Sequence, residues 1–371
     1  MKRTSRRRLA TPGLAALALT LTLSACSASN EGSTGDNAAP EIEGLSGTVN
    51  GTGASSQEAA MGAWRAGFQS ANSGVTVNYD PVGSGGGREQ FLSGGVAFAG
   101  TDAYLDEEEG EVTKASERCG GDAIEIPNYV SPIAVVFNID GVDELRLDAP
   151  TLAGIFTGDI SRWDDPAIAG TNPDADLPDG NITAVHRADD SGTTDNFTAY
   201  LEAAAPDVWT HGEVGEWPIN HGEAAPQNSG VVSAVTNGSN TIGYADASQA
   251  RELDIATIKV GEDFVDPSAE AAARVLEVSP RVEGRAESSM VFELDRATEE
   301  SGTYPIVLTS YLLACPTYAD EQTAGLVKGF LSYIVSDEGQ QAAADAAGSA
   351  PLSDALQGEA QGLIDTISAA G

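Results

Sequence analysis

Residues 48–69 read TVNGTGASSQEAAMGAWRAGFQ, a short β-type run followed by a turn with two glycines and by a helical stretch from Glu58 to Gln69. The same order returns at 75–92, where VTVNYD leads through PVGSGGG into a helix predicted from Arg88 to Leu92. A strand, a glycine turn and a helix in succession are typical of α/β domains. The repeated order therefore predicts an α/β fold class.

The alternation continues along the chain. It predicts β-type runs at 133–138, 181–186, 241–244 and 304–313, and helices at 151–156, 194–202 and 322–336. The length of 371 residues and the hydrophobic content of 41% suit two domains of ordinary size. The acidic run at 106–111 is predicted to be solvated surface, because its spacing does not match a calcium loop.

The stretch RADDSGTT at 187–194 places one arginine beside a hydroxyl-rich turn that opens a helix. Ser191 is predicted to be the N-cap, Gly192 leaves its backbone N–H unobstructed, and Thr193 adds a hydroxyl. A guanidinium and the positive end of a helix dipole together suit an oxyanion. An ordinary capped helix that follows a strand explains the same residues equally well at this point.

The two earlier turns carry similar chemistry. Ser55 followed three residues later by Glu58 is a capping-box pattern, and Ser84 precedes three glycines that let a ligand approach the backbone closely. Each turn alone is better explained as a helix start. All three, however, bear hydroxyls and follow strands, and α/β sheets bind ligands at the carboxyl ends of their strands.

The charge balance excludes several partners. The chain carries 19 Lys and Arg residues against 56 Asp and Glu residues, a formal net charge of −37. Nucleic acids and anionic lipids bind basic patches, so neither is expected as a partner. A bound anion must therefore be held by local dipoles and by a few placed groups.

The N-terminus predicts export. Residues 1–25 combine a basic start with a short apolar run from Leu14 to Leu23, and Leu23-Ser24-Ala25-Cys26 resembles a lipobox. We expect residues 1–25 to be a lipoprotein signal peptide, Cys26 to carry the lipid (palmitate), and 26–44 to be a flexible tether. The protein would then lie at the cell membrane, lipid-anchored on its extracytoplasmic face, by either Sec or twin-arginine export.

Two further cysteines remain, Cys119 and Cys315. In an oxidising compartment they could form a disulfide between distant parts of the chain. Two buried free thiols fit the sequence equally well.

Seven segments together resemble the phosphate-binding proteins of bacterial ABC phosphate importers, in the order of that family and over nearly the whole mature chain. They are GTGASS at 51–56, NYDPVGSGGG at 78–87, FAGTD at 98–102, IFTGDISRWDDPAI at 155–168, HRADDSGTTDNFT at 186–198, NTIGYADAS at 240–248 and YPIVLTSYLL at 304–313. The resemblance implies a type II periplasmic-binding-protein fold, in which two crossing strands join two α/β lobes around a ligand cleft. With crossings near Asn138 and Tyr304, lobe I comprises 45–138 and 305–371 and lobe II comprises 139–304.

The resemblance also implies the ligand set. Phosphate would be bound by Ser55, Ser56, Ser84 and Asp102 of lobe I and by Arg187, Ser191, Gly192 and Thr193 of lobe II, with Asp189 holding the arginine. Two departures from the family pattern stand out. The first turn has two serines where threonine and phenylalanine are common, so Ser56 is expected to supply a backbone N–H. Asp190 replaces a common glycine and adds a negative charge.

Asp102 carries the expected selectivity. An ionised carboxylate only accepts hydrogen bonds, and phosphate near neutral pH still has a proton to donate, whereas sulfate has none. Two buried acceptors that face each other cost on the order of a few kcal/mol. The site should therefore prefer phosphate to sulfate.

The expected function is high-affinity binding of inorganic phosphate outside the cytoplasm and delivery to an ABC permease by lobe closure, as a monomer without cofactor or metal. The alternatives are a secreted phosphohydrolase and a binding protein for another tetrahedral oxyanion. His186, His211 and His221 lack metal-ligand spacing, no Walker or G-x-S-x-G pattern occurs, and Ser84 has no recognisable base. We therefore expect a binding protein and not an enzyme.

Overall fold

The computed structural model describes residues 42–371, except the side chains of residues 277 and 278. The predicted signal peptide, the lipidation site at Cys26 and residues 26–41 of the predicted tether lie outside the described residues. Among residues 42–371, none of the helices is long and apolar enough to cross a membrane.

The described chain is built from alternating strands and helices, which confirms the predicted α/β class. The strands are β1 Gly47–Gly53, β2 Val75–Asp80, β3 Phe98–Thr101, β4 Ile124–Asn138, β5 Arg146–Leu147, β6 Thr183–Arg187, β7 Glu223–Ala225, β8 Thr241–Asp246, β9 Asp254–Ile255, β10 Thr257–Val260, β11 Asp263–Val265, β12 Val307–Ala314, β13 Thr317–Tyr318 and β14 Ser368–Ala369. The helices are α1 Glu58–Ala71, α2 Ser84–Leu92, α3 Glu111–Cys119, α4 Ala149–Thr157, α5 Pro166–Thr171, α6 Gly192–Ala204, α7 Gln227–Asn237, α8 Ala269–Val278, α9 Glu321–Val335, α10 Asp337–Ala347 and α11 Asp354–Ile364.

The main sheet has two halves that share strand β4. The strand order is β2-β1-β3-β12-β4-β8-β6-β7, and β9 also pairs with β4. Residues 124–132 of β4 pair with β12, whereas residues 133–138 pair with β8. The chain therefore passes from one half of the sheet to the other near Pro132 and Ile133.

Each half has its own parallel strands and its own covering helices. In the first half β1 pairs in parallel with β2 and β3, and in the second half β6 pairs in parallel with β7 and β8. The indole of Trp64 in α1 donates to the carbonyl of Gly339 at 2.7 Å, which ties α1 to α10. In the second half, the ring of Phe197 in α6 stacks on Tyr244 of β8, with 4.2 Å between centroids. In each half, side-chain contacts thus fix a covering helix against its neighbours.

A disulfide joins Cys119, the last residue of α3, to Cys315, which follows β12. The two residues are 196 positions apart in sequence. A crosslink over so long a loop removes much of the conformational freedom of the unfolded chain.

Several element boundaries differ from the sequence-based predictions. Helix α2 begins at Ser84 and not at Arg88, because the three glycines that follow Ser84 are part of the helix. The capping box predicted from Ser55 and Glu58 is wrong: Gln57 is the N-cap of α1 and makes no side-chain capping bond. The acidic run is exposed at 106–109 as predicted, but Glu111 is buried and pairs with Arg88 at 3.0 Å.

Candidate functional site

The candidate site lies where strands end and helices begin in both halves of the sheet. We call Ser55, Ser56, Ser84 and Asp102 the first wall, and Arg187, Ser191, Gly192 and Thr193 the second wall. The structure brings all eight together and buries every one of them. The first wall follows β1 and β3 and opens α2, while the second wall follows β6 and opens α6.

Asp102 is the centre of the first wall. Its Oδ1 accepts the hydroxyl of Ser56 at 2.7 Å and the hydroxyl of Ser310, and its Oδ2 lies 3.4 Å from the Ser84 hydroxyl. The backbone N–H of Asp102 donates in turn to Ser84 Oγ at 3.1 Å. A carboxylate offers roughly four acceptor directions, so three hydroxyl donors leave one direction for a further proton.

Opposing influences set the ionisation of Asp102. Burial raises the pKa of this carboxyl, because a charge is costly away from water. The hydroxyls of Ser310 and Ser56 and the positive charge of Arg187 lower the pKa and offset part of the effect of burial. The ionised form of Asp102 is therefore stabilised first by its serine donors and then by the charge of Arg187 on the second wall.

Arg187 ends β6 and is 1% exposed. Its Nε donates to Asp189 Oδ1 at 2.9 Å and its Nη2 donates to Asp189 Oδ2, which is a two-point grip. Asp189 Oδ1 also accepts the backbone N–H of Gln227, at the start of α7, at 3.0 Å. The guanidinium is thus held in a fixed plane, and its Nη1 has no acceptor among residues 42–371.

The start of α6 carries free backbone donors. Ser191 is the N-cap, as predicted, and its Oγ accepts the N–H of Thr194 at 3.2 Å. The first N–H groups of a helix have no partner within the helix. Across the described part of the chain, the N–H groups of Gly192 and Thr193 have no hydrogen-bond acceptor, so they are available to an anion.

The two walls are in direct contact. A Cβ placed on Gly192 would lie 2.5 Å from Asp102 Cβ and 2.5 Å from Ser84 Oγ, far closer than real side chains approach. The side-chain amide of Asn196 donates across the gap to the carbonyl of Asp102 at 2.8 Å. Only a glycine at position 192 allows the two walls to approach this closely.

Asp190 lies beside the site and has a counter-charge. Its Oδ2 is 3.7 Å from Nη2 of Arg88, a second guanidinium that sequence reasoning did not place near the site. Burial raises the pKa of Asp190, the charge of Arg88 lowers it, and the charges of Glu216 and Glu111 raise it further. Arg88, which also pairs with Glu111, therefore offsets part of the negative charge that Asp190 adds.

Sequence reasoning missed other polar residues of the site, namely Gln57, Asn196, Asn228 and Ser310. Ser310 had a usable signal, since a serine inside the apolar strand β12 must find a partner when it is buried. Asn228 gave only a weak signal, because the turn before α7 lacks the glycine and the hydroxyl residues that marked the other three turns. In the part of the chain that the structure describes, no group of His, Cys, Asp or Glu could hold a metal ion.

Comparison with known proteins gives consistent matches. The family model for the PBP superfamily domain matches residues 38–338. Phosphate-binding protein PstS2 of Mycobacterium bovis is 33% identical over 360 residues, which cover 94% of this chain and 96% of that protein. Phosphate-binding protein PstS3 of the same organism is 34% identical over 358 residues, which cover 94% and 95%. 

Solved structures share the fold. A high affinity periplasmic phosphate-binding protein, solved with bound phosphate, matches with a TM-score of 0.69 at 23% identity, over 85% of this chain and 93% of that one. A phosphate-binding protein from Stenotrophomonas maltophilia matches with a TM-score of 0.65 at 20% identity, over 85% and 93%. The two-lobe fold expected from the sequence is thereby confirmed.

Proposed function

This chain belongs to the PBP superfamily and, within it, to the PstS phosphate-binding proteins, and on that premise we propose that it binds inorganic phosphate outside the cytoplasm and passes it to an ABC-type membrane permease. The relatives are named for binding, which favours a carrier over the phosphohydrolase alternative. The names of the relatives also favour phosphate over the other tetrahedral oxyanions.

One observation carries the proposal: a buried acceptor and a buried cation face each other across two touching walls. Asp102 keeps one acceptor direction, and Arg187 keeps Nη1 without an acceptor among the described residues. A phosphate that still carries a proton matches both, because it donates to Asp102 and accepts from Arg187. The unpartnered N–H groups of Gly192 and Thr193 supply further donors. Sulfate, which has no proton, lacks the donor that Asp102 requires.

Lobe closure would enclose the anion. The assignment of 45–138 and 305–371 to lobe I and of 139–304 to lobe II is adjusted at two places in this proposal. Residues 133–138 pair with β8 in the second half of the sheet, which supports placing them with lobe II. Met290 N–H donates to the carbonyl of Glu125 at 2.7 Å, and Arg285 pairs with the Glu125 carboxylate at 2.5 Å. These contacts to β4 support placing residues 285–290 with lobe I. Phosphate would favour the closed state only through its greater affinity for that state.

The proposed anchor follows from the N-terminal sequence, and the proposed permease partner is what the resemblance to the binding proteins of phosphate importers implies. Cys26 would carry the lipid at the end of the tether, which keeps a monomeric receptor on the extracytoplasmic face of the membrane. The closed form would then dock on the permease. No basic patch for nucleic acid is expected on a chain with a net charge of −37.

Calorimetric titration of the soluble chain from residue 27 tests the proposal. We expect saturable one-to-one binding of phosphate and no turnover of a chromogenic phosphate ester. Absence of phosphate binding would refute the carrier function, and ester turnover would support the phosphohydrolase alternative instead.

A further inference from the structure

Asn228, in the first turn of α7, is completely buried between the two walls and is not among the predicted ligands. Its side-chain Nδ2 lies 3.1 Å from Ser55 Oγ of the first wall and 3.3 Å from Thr193 Oγ1 of the second wall. Its backbone N–H also points to Ser55 Oγ, at 3.4 Å. One residue therefore contacts a hydroxyl on each side of the site.

The orientation of the Asn228 amide is fixed by its other end. Asn228 Oδ1 accepts the backbone N–H of Asp246, the last residue of β8, at 3.0 Å. The oxygen is thereby directed to the strand, and the NH₂ group is directed to the two hydroxyls. An amide nitrogen has two N–H donors and accepts nothing. Both hydroxyl oxygens must therefore act as acceptors toward Asn228.

This constraint limits what the proton of each hydroxyl can do. A hydroxyl has two acceptor lone pairs and one O–H donor. Ser55 Oγ receives two donors from Asn228, and Thr193 Oγ1 receives one. Among residues 42–371, neither hydroxyl has an acceptor for its own proton. Both O–H groups are thus left as donors for an acceptor that enters the site.

The other serines of the first wall behave differently. The hydroxyl of Ser56 donates to Asp102 at 2.7 Å, and the hydroxyl of Ser84 lies 3.4 Å from the same carboxylate. Their protons serve Asp102, whereas the protons of Ser55 and Thr193 have no such partner. Within this group of four, Ser56 and Ser84 thus face the carboxylate, whereas Ser55 and Thr193 are directed by Asn228.

We propose that Asn228 is a positioning residue that orients the Ser55 and Thr193 hydroxyls as hydrogen-bond donors toward the bound phosphate. The inference rests on the proposed phosphate-binding function, and it goes beyond that function by assigning a role to a residue outside the predicted ligand set. Asn228 acts through the two hydroxyls, so its effect on affinity should disappear when they are absent.

A double-mutant cycle on the phosphate Kd tests this inference. In the otherwise wild-type protein, Asn228→Ala should weaken phosphate binding by roughly 10-fold, the value of one oriented hydrogen bond to a charged ligand. In a Ser55→Ala, Thr193→Val background, the same substitution should change the Kd by less than about 2-fold. An equal loss in both backgrounds would show that Asn228 supports the fold and not the hydroxyls, and would overturn the inference.

Two further variants keep the test decisive. Asn228→Asp preserves the shape of the side chain and the oxygen that accepts the Asp246 backbone N–H. It replaces the NH₂ donor with a second oxygen, which would accept the protons of both hydroxyls. It should bind phosphate at least about 100-fold more weakly than wild type, and wild-type affinity in this variant would also overturn the inference. Asn237→Ala, at the exposed end of the same helix, is the matched control and should bind like wild type.

The wild-type titration separates the two claims. If the wild-type chain binds no phosphate, the proposed function fails and this inference fails with it. If wild type binds phosphate and the cycle is additive, only the role of Asn228 is refuted.

Discussion

The two walls touch at Gly192, so adding a single methyl group there tests whether phosphate binding needs this contact. In Gly192→Ala, the new Cβ would lie 2.5 Å from Asp102 Cβ, 2.5 Å from Ser84 Oγ and 3.1 Å from Asp102 Cα. Carbon atoms pack favourably at about 3.5–4.0 Å, so the walls would have to separate by about 1 Å. Asp102 Cα and Cβ cannot move aside by a side-chain rotation alone, because their positions are fixed by the backbone.

The expected loss follows from the hydrogen bonds that such a separation breaks. A ligand that bridges both walls would lose at least two hydrogen bonds to a charged group, each worth about 1.5–3 kcal/mol. Phosphate affinity should therefore fall by roughly 10²-fold to 10⁴-fold. The methyl group makes the same close contacts in the ligand-free structure, so thermal unfolding shows how much of its effect falls on the fold and how much on binding.

The assay is calorimetric titration with phosphate, combined with thermal unfolding of the ligand-free protein. Gly62→Ala is the matched control, because Gly62 lies in α1 with no atom within 4 Å of the added Cβ, and it should bind phosphate like wild type. Wild-type phosphate affinity in Gly192→Ala would refute the reasoning that the closed walls form the binding site.

Three other perturbations have defined outcomes. Arg187→Lys replaces the two-point grip on Asp189 with a single point charge, so phosphate Kd should rise by about 10-fold to 100-fold in the same titration, and an unchanged Kd would remove Arg187 from the site. Burial raises the pKa of Asp246 from 3.8 to about 6. The folded state therefore favours the protonated carboxyl. The stability that Asp246 contributes is fully present below about pH 4 and is lost as the pH rises through 6. Asp246→Asn should remove up to roughly 3 kcal/mol of this pH dependence, and urea unfolding at pH 4 and pH 8 that shows the same pH dependence in both proteins would contradict this assignment. Reduction of the Cys119–Cys315 disulfide should lower the free energy of unfolding by roughly 2–5 kcal/mol, measured in urea with and without a thiol; an unchanged midpoint would contradict a stabilising crosslink.

Local sequence patterns predicted the parts of the site that depend on neighbouring residues. Ser191 was predicted as an N-cap from its place before a helix, and its Oγ accepts the N–H of Thr194. The strand and glycine turn before α2 were also predictable, although the start of α2 at Ser84 was not. Glycine is unfavourable in the interior of a helix. The close packing of Gly87 against Gly53 and Gly100 explains why a glycine stands at position 87 of α2.

The missed features depend on contacts between distant residues. Ser55 was predicted to cap α1, yet its Oγ accepts the amide of Asn228, which is 173 positions away in sequence. Ser310 joins Asp102 from a strand more than 200 positions downstream. No local pattern encodes such pairs, because they arise only when both halves of the sheet are assembled.

The central claim is that phosphate is enclosed between the two walls, with Asp102 and Arg187 on opposite sides of one anion. The most direct measurement is a crystal structure of the chain grown with equimolar phosphate. The account predicts one phosphate within hydrogen-bond distance of both Asp102 and Arg187, and also of the Ser55 and Thr193 hydroxyls. A phosphate bound elsewhere, or one that contacts a single wall, would contradict it.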